Sequence, residues 1–318
     1  MVNGIVLIDK PSGITSHDLV DRVRKIFNQK RVGHAGILDP LATGLMIVLL
    51  GKGTLFSQHL TGSNKRYRAK LRFGRATDTF DAEGEVTSES DPGDLSREKF
   101  EEIADGFVGK INQLVPPYSA VKIQGKRMYK AARDGEELPE RHKEVDIQTI
   151  QVLEFAWPEV VVDIRCGAGT YVRSLAHEMG QEIGCGGYLE KLVRTGVGKF
   201  TLEDAISLEQ LGDSIKTDDY SAVKPLIEAF PDKPTIAIRP EYYDSILQGK
   251  PFLKRYLQKT DYKGPGGCLS LLLGPENKVL AIAKLNYNWG SFGRLESRDI
   301  LGKYVRIIDE GRLRNQHA

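Results

Sequence analysis

Cysteine is scarce. The three in the chain, Cys166, Cys185 and Cys268, lie far apart and form no C-x-x-C pair. That excludes a disulfide framework and a cysteine zinc site, and isolated thiols of this kind are expected in a reducing, cytoplasmic setting. No apolar stretch approaches the roughly 20 residues needed to cross a bilayer. Residues 1–10 read as a strand entering a turn, without the basic start and long apolar segment of a signal peptide. His177-Glu178 lacks a second histidine four positions after the first, which removes the zinc-protease pattern, and no Walker loop or G-x-G-x-x-G follows a strand. Neither a metal nor a nucleotide cofactor is therefore expected, nor a membrane. Internal repeats and low-complexity tracts are missing as well.

What is present is the composition of a soluble globular chain, with 40% hydrophobic and 28% charged residues. At 318 residues, one large domain and a smaller one are expected. The net charge of +2 hides segregation. Between residues 63 and 75 stand Lys65, Arg66, Arg68, Lys70, Arg72 and Arg75 with no acid, and 122–133 carries Lys122, Lys126, Arg127, Lys130 and Arg133, again with none. Residues 81–105, between them, are acidic. Either a phosphate-binding face or ordinary solvated charge produces such runs.

Local patterns organise the chain. Residues 15–18 offer N-cap groups before apolar positions recurring at helical spacing to about residue 28. Residues 66–73 alternate, with Arg66, Arg68, Lys70 and Arg72 on one face and Tyr67, Ala69, Leu71 and Phe73 on the other, as a strand requires. A serine-capped helix is expected over 96–107. Pro116 and Pro117 then open an insertion, about 118–146, rich in Lys, Arg, Tyr and Gly and read as an arm. A strand over 160–165, a turn at 167–169 and a helix start at 174–179 follow. If 171–173 is extended, Tyr171 and Arg173 share a face. Short helices are expected at 203–211 and 222–230. Pro231-Asp232-Lys233-Pro234 is the best linker, dividing 1–231 from a small β-rich module at 232–318.

The most informative stretch is the glycine-punctuated loop 33–44, which presents one carboxylate, Asp39, ahead of the apolar run 45–50, short enough to be a buried strand. Pro40 biases Asp39 away from helical backbone. Two readings stand: an Asp-Pro turn satisfying loop amides, or a fixed carboxylate placed for chemistry.

Eight peptides in one order extend the second reading. They are Gly4-Ile-Val-Leu-Ile-Asp-Lys-Pro-Ser-Gly-Ile-Thr-Ser16, Gly36-Ile-Leu-Asp39-Pro-Leu-Ala-Thr-Gly44, Lys65-Arg-Tyr67, Thr77-Asp-Thr-Phe-Asp81, Pro116-Pro-Tyr-Ser-Ala-Val-Lys122, the Gly125, Tyr129 and Ala132-Arg133 positions, Gly169-Thr-Tyr171-Val-Arg173-Ser-Leu175, and Leu192-Val-Arg-Thr195. The series resembles the TruB family of bacterial tRNA pseudouridine synthases over nearly the whole of 1–231, and weakens beyond. Gly51-Lys-Gly-Thr-Leu55 departs from the family's usual alanine and threonine before a lysine.

The resemblance implies an α+β pseudouridine synthase fold with a mixed, largely antiparallel sheet, followed by a PUA-like RNA-binding domain at 232–318. It implies conversion of uridine 55 in the tRNA T loop to pseudouridine by base flipping and aspartate-dependent glycosidic isomerisation, without a cofactor. Asp39 is then the catalytic carboxylate and Arg173 its ionic partner. Tyr67 stacks on the base and assists catalysis, Tyr171 and Leu192 enclose it, and His34 holds the RNA open. Lys10 supports Tyr67 or a phosphate, and Asp81 sits near the base edge. Lys122, Lys126, Arg127 and Lys130 contact phosphates of the T stem-loop. A monomer with no obligatory protein partner is expected. Two other readings are a noncatalytic RNA-binding factor, with Asp39 structural, and a guide-RNA-dependent relative; the long insertion favours the stand-alone type.

Overall fold

The apolar run after Asp39 forms a strand buried on both faces. A computed structural model describes residues 1–119, 122–123, 126–128, 139–230, 233–259 and 266–308. In it β1 (Gly4–Lys10), β2 (Val32–His34) and β3 (Thr43–Leu50) open the fold, and every β3 residue beyond Thr43 is buried. β1 and β2 both pair antiparallel with β3, β1 from Gly4↔Leu50 to Lys10↔Gly44. Helix α1 (Ser16–Ile26) starts where Thr15 and Asp18 form a reciprocal capping box, and its Leu19, Val20 and Val23 pack on Val6, Ile8 and Met46.

The alternating segment becomes β4 (Lys65–Phe73), after the short helix α2 (Ser57–Thr61). β5 (Arg75–Thr77) and β6 (Val86–Glu89) make a hairpin, α3 (Arg97–Asp105) follows its Ser96 cap, and β7 (Gly109–Leu114) returns to the sheet. A small hairpin, β8 (Lys122–Ile123) and β9 (Lys126–Arg127), precedes the long β10 (His142–Ala156), β11 (Glu159–Cys166), α4 (Val172–Ile183), β12 (Gly187–Val197) and β13 (Phe200–Thr201). Among the described residues nine strands form one sheet in the order β1-β3-β12-β4-β11-β10-β7, with β2 on β3 and β13 on β12. It is mixed because β12 meets β3 parallel, at Val193↔Thr43 and Arg194↔Gly44. Helices α3 and α4 cover the face bearing Tyr67, Ala69, Leu71 and Phe73.

The opposite face of β4 carries the basic stripe, and neighbouring strands match it with acids. Arg66 lies 3.0 Å from Asp163, Lys70 lies 2.7 Å from Glu159 and 3.1 Å from Glu190, and Arg72 lies 3.3 Å from Glu159. These three cations thus have acidic cross-strand partners.

Other expectations shift at their edges. Residues 142–146 lie in β10, paired with β7 from His142↔Leu114 onward, so the segment outside the sheet is shorter than 118–146. Residues 203–211 split into a single 3-10 turn, Leu202–Asp204, and helix α5 (Leu208–Lys216), because Ser207 and Gln210 form a capping box that starts the helix afresh. Pro225 caps no more than a 3-10 turn, Leu226–Ala229, where a helix over 222–230 was expected.

From residue 235 on, β14 (Thr235–Ile238), β15 (Phe252–Leu253), β16 (Leu257–Lys259), β17 (Leu269–Leu273), β18 (Val279–Leu285) and β19 (Ile300–Ile307) form a second sheet ordered β15-β19-β18-β17-β14-β16. Ile236, Phe252, Leu272 and Leu301 make its own core. Leu271, Leu273 and Val279 on its other face join Ile5, Ile47 and Phe230 in a core shared with the first body.

Candidate active site

Asp39 is held by its backbone. Each carbonyl from Ile37 to Leu41 has a donor. Arg194 Nη1 reaches Ile37 O at 3.1 Å, Ser16 Oγ reaches Leu38 O at 3.0 Å, Ala42 N reaches Asp39 O at 3.1 Å, and Ser12 Oγ reaches Leu41 O at 3.2 Å. Pro40 O accepts from Gly13 N at 3.0 Å and from Lys10 Nζ at 3.3 Å. The opening peptide around residues 10–16 is therefore a clamp on the aspartate loop. A loop whose carbonyls all have donors loses much of its backbone freedom.

Lys10 is fully buried, and its ammonium also donates to Pro11 O at 2.9 Å and Ile14 O at 2.8 Å. Burial pulls its pKa down to about 8, against the opposing pull of Asp39. It lies beneath the loop and its donors are spent on carbonyls, so it supports Asp39 rather than a phosphate or Tyr67.

The Asp39 carboxylate faces a cavity of about 650 Å³ that Tyr67, Tyr171, Arg173 and Leu192 also line. Arg173 comes from the first turn of α4 with its side chain 6% exposed, and its Nε stands 3.3 Å from Asp39 Oδ2. Nη2 donates to Tyr118 O at 2.8 Å and Nη1 to Thr79 O at 3.3 Å, with Asp81 Oδ2 3.8 Å from Nη1. A guanidinium tied to two carbonyls and flanked by two carboxylates has little freedom, and its charge is compensated where it is buried. Asp81 is buried beside its own turn partners, with Oδ2 3.8 Å from Arg173 Nη1. It accepts from Thr79 Oγ1 at 2.7 Å and Glu83 N at 3.1 Å, and burial pushes its carboxyl up against the pull of those bonds and of Arg173.

Tyr67 lies on the core face of β4, opposite Arg194 of β12 and Ile164 of β11. Burial raises its phenol, and the Arg194 guanidinium opposes that. Tyr171 caps α4, and Gln113 grips both its backbone groups, accepting from N at 2.8 Å and donating to O at 3.0 Å. Because Val172 already begins the helix, Tyr171 and Arg173 do not share a strand face; they meet with the guanidinium carbon 5.9 Å from the ring centroid. Leu192 closes the apolar wall from β12. His34, at the end of β2, also lines the cavity, with its imidazole lowered by burial and by Arg194.

Lys122, Lys126 and Arg127 fall on the β8–β9 hairpin, where Lys122 pairs with Arg127. Lys130 lies outside the described residues. Sequence reading passed over Arg194, 1% exposed, which donates through Nε to Leu45 O at 2.7 Å as well as to Ile37. It stands within the Leu192-Val-Arg-Thr195 peptide, but β12 also carries Glu190 and the exposed Lys191, so nothing local distinguishes it as the buried charge. Gly44, at φ +98, is needed beside it, since a Cβ there would lie 2.5 Å from Arg194 O.

Residues 24–172 match the TruB family pseudouridylate synthase N-terminal domain, and residues 173–230 match the tRNA pseudouridylate synthase B C-terminal domain. The chain is 37% identical to tRNA pseudouridine synthase B of Syntrophotalea carbinolica over 85% of its length and 91% of the relative. It is 43% identical to that of Opitutus terrae over 66% of its length and 87% of the relative. In fold it is similar to a chain of an H/ACA RNP bound to a substrate RNA, with a TM-score of 0.72 at 24% identity over 96% of this chain and 84% of that one. A Cbf5–Nop10–Gar1 complex gives 0.71 at 26% identity, over 96% and 84%.

Proposed function

The chain belongs to the TruB family of pseudouridylate synthases, and from that premise we propose that it converts uridine 55 in the tRNA T loop to pseudouridine, with Asp39 as the catalytic carboxylate. The observation that carries the proposal is Asp39 Oδ2 at 3.3 Å from the buried Arg173, on the wall of a cavity with aromatic and apolar sides. The reaction breaks the bond between C1′ and N1, joins C1′ to C5, and returns a proton to N1 as C5 gives one up. Composition and oxidation state are unchanged, so a positioned carboxylate acting as nucleophile or base is chemistry enough.

The flipped base stacks on Tyr67 while Tyr171 and Leu192 enclose it. Aromatic stacking contributes roughly 1–3 kcal/mol, which offsets part of the few kcal/mol needed to extract a nucleotide. His34, held neutral by burial, stands at the cavity wall where the strand enters, and Arg173 holds the carboxylate toward the base. The β8–β9 cations grip phosphates of the T stem-loop, and 232–318 serves as a PUA-like RNA-binding domain. The enzyme acts as a monomer on tRNA, without a protein partner, in the cytoplasm.

The test is purified protein with unmodified tRNA transcript, scored for pseudouridine, beside Asp39→Asn and Asp39→Ala. Loss of product with RNA binding retained supports the assignment. Full activity in both variants removes Asp39 from its role and favours a noncatalytic RNA-binding factor.

A further inference from the structure

Phe80 occupies a backbone conformation that bulky residues rarely adopt, with φ +64. Strain of this kind persists only where the surroundings over-determine it. Here the chain is caught on both sides. Phe80 N donates to Thr77 O at 3.2 Å, and Leu189 of β12 donates to Phe80 O at 3.0 Å and accepts from Ala82 N at 3.0 Å. The ring lies flat on His177 of α4, with centroids 3.8 Å apart and planes 12° from parallel. His177 stands one turn after Arg173, so the same helix face carries both.

The residues either side of Phe80 hold Arg173 at Nη1, while Tyr118 O takes Nη2. Thr79 supplies the carbonyl to Nη1, and Asp81 supplies the second carboxylate. If Phe80 relaxed to ordinary backbone, the two would turn away from one another and Arg173 would lose both. The His177 Nδ1 atom is buried without a hydrogen-bond partner among the described residues, and burial lowers its pKa, so a neutral ring lies against Phe80.

We propose that Phe80 and His177 are positioning residues: their stack locks the turn at 77–82 in its strained form and thereby sets Arg173 against Asp39. The inference rests on the reading of Asp39 and Arg173 as the reacting pair. Neither ring lines the cavity, so both act through Asp81 and Arg173 rather than on the substrate.

The test uses the full chain as wild type, His177→Ala, His177→Phe, Asp81→Asn and the double variant His177→Ala/Asp81→Asn. Single-turnover pseudouridine formation and tRNA affinity are measured, and crystal structures are determined for the two His177 variants. His177→Ala should slow the reaction by about tenfold or more at unchanged tRNA affinity, a loss typical of small misplacement at a reacting centre. His177→Phe, which keeps a flat ring, should stay within about threefold of wild type, and the double variant should be no slower than Asp81→Asn alone. Residue 80 should leave positive φ in His177→Ala and keep it in His177→Phe.

An unchanged rate in His177→Ala, a His177→Phe variant as slow as His177→Ala, or losses that multiply in the double variant would each overturn the proposal. So would positive φ at residue 80 in the His177→Ala crystal. Wild type without product would instead overturn the functional reading, and the crystals would still decide the positioning. Should His177→Ala not fold, His177→Leu, which fills the space without a flat ring, takes its place with the same expectations.

Discussion

Arg194 Nη1 donates to the Ile37 carbonyl at 3.1 Å, tying a strand near residue 194 to the loop two positions ahead of Asp39. The same guanidinium reaches Leu45 at 2.7 Å, so it bridges both ends of the loop-to-strand junction. A lysine cannot present two donors in that fixed fork. Arg194→Lys should therefore lower stability by roughly 2–4 kcal/mol in urea denaturation, the sum of two charge-assisted hydrogen bonds less partial compensation. Stability within about 0.5 kcal/mol of wild type would show that the bridge contributes little.

Lys10 predicts a pH dependence. Its folded pKa, about 8, is below the ordinary 10.5, so between those values the unfolded chain binds more protons than the folded one. Burial's penalty on the charged form is fully present below about pH 8 and fades as pH rises toward 10.5, so this residue's contribution to stability rises through that window. Between pH 7.5 and 9.5, the wild type should gain roughly 2 kcal/mol relative to Lys10→Met. Taking the difference between the two proteins cancels Lys65, which burial also lowers to about 8. A difference that stays constant across this range contradicts the burial of a charged Lys10.

Gly44 and Gly13 both have positive φ, +98 and +80, but their surroundings differ. A Cβ at Gly13 meets nothing within 4 Å, whereas one at Gly44 strikes the Arg194 backbone at 2.5 Å. Gly13→Ala should cost about 1 kcal/mol from backbone conformation alone. Gly44→Ala should cost at least about 3 kcal/mol, or prevent folding, because β12 and β3 would have to part. Equal melting temperatures for the two variants would argue against the close parallel contact.

Binding of tRNA should weaken with salt, and the two basic segments should contribute unequally. Lys70 and Arg72 already have Glu159 as partner. Alanine at Lys122, Lys126 or Arg127 should each reduce the slope of log Kd against log salt by about 1, and alanine at Lys70 or Arg72 by clearly less. Equal reductions at all five positions would return the β4 face to the RNA-binding surface.

What the sequence determined by itself was local and ordered. The apolar run at 45–50 became β3, the alternation at 66–73 became β4, and the Thr15–Asp18 box started α1, because each depends on sterics and hydrogen bonds among near neighbours. The ordered peptides identified the family and picked out Asp39, Tyr67, Tyr171, Arg173 and Leu192, which the fold gathers around one cavity. Tertiary structure alone decided what holds them. Lys10, expected on the substrate, lies under the loop; Asp81 stands beside Arg173; Arg194 reaches Ile37 from 157 positions away; and acids on β11 and β12 answer the basic stripe. Spacing along a chain carries periodicity, and so it reveals which face a residue takes. Which distant donor meets which carbonyl is decided by strand order and register, and these exist only once the sheet has closed.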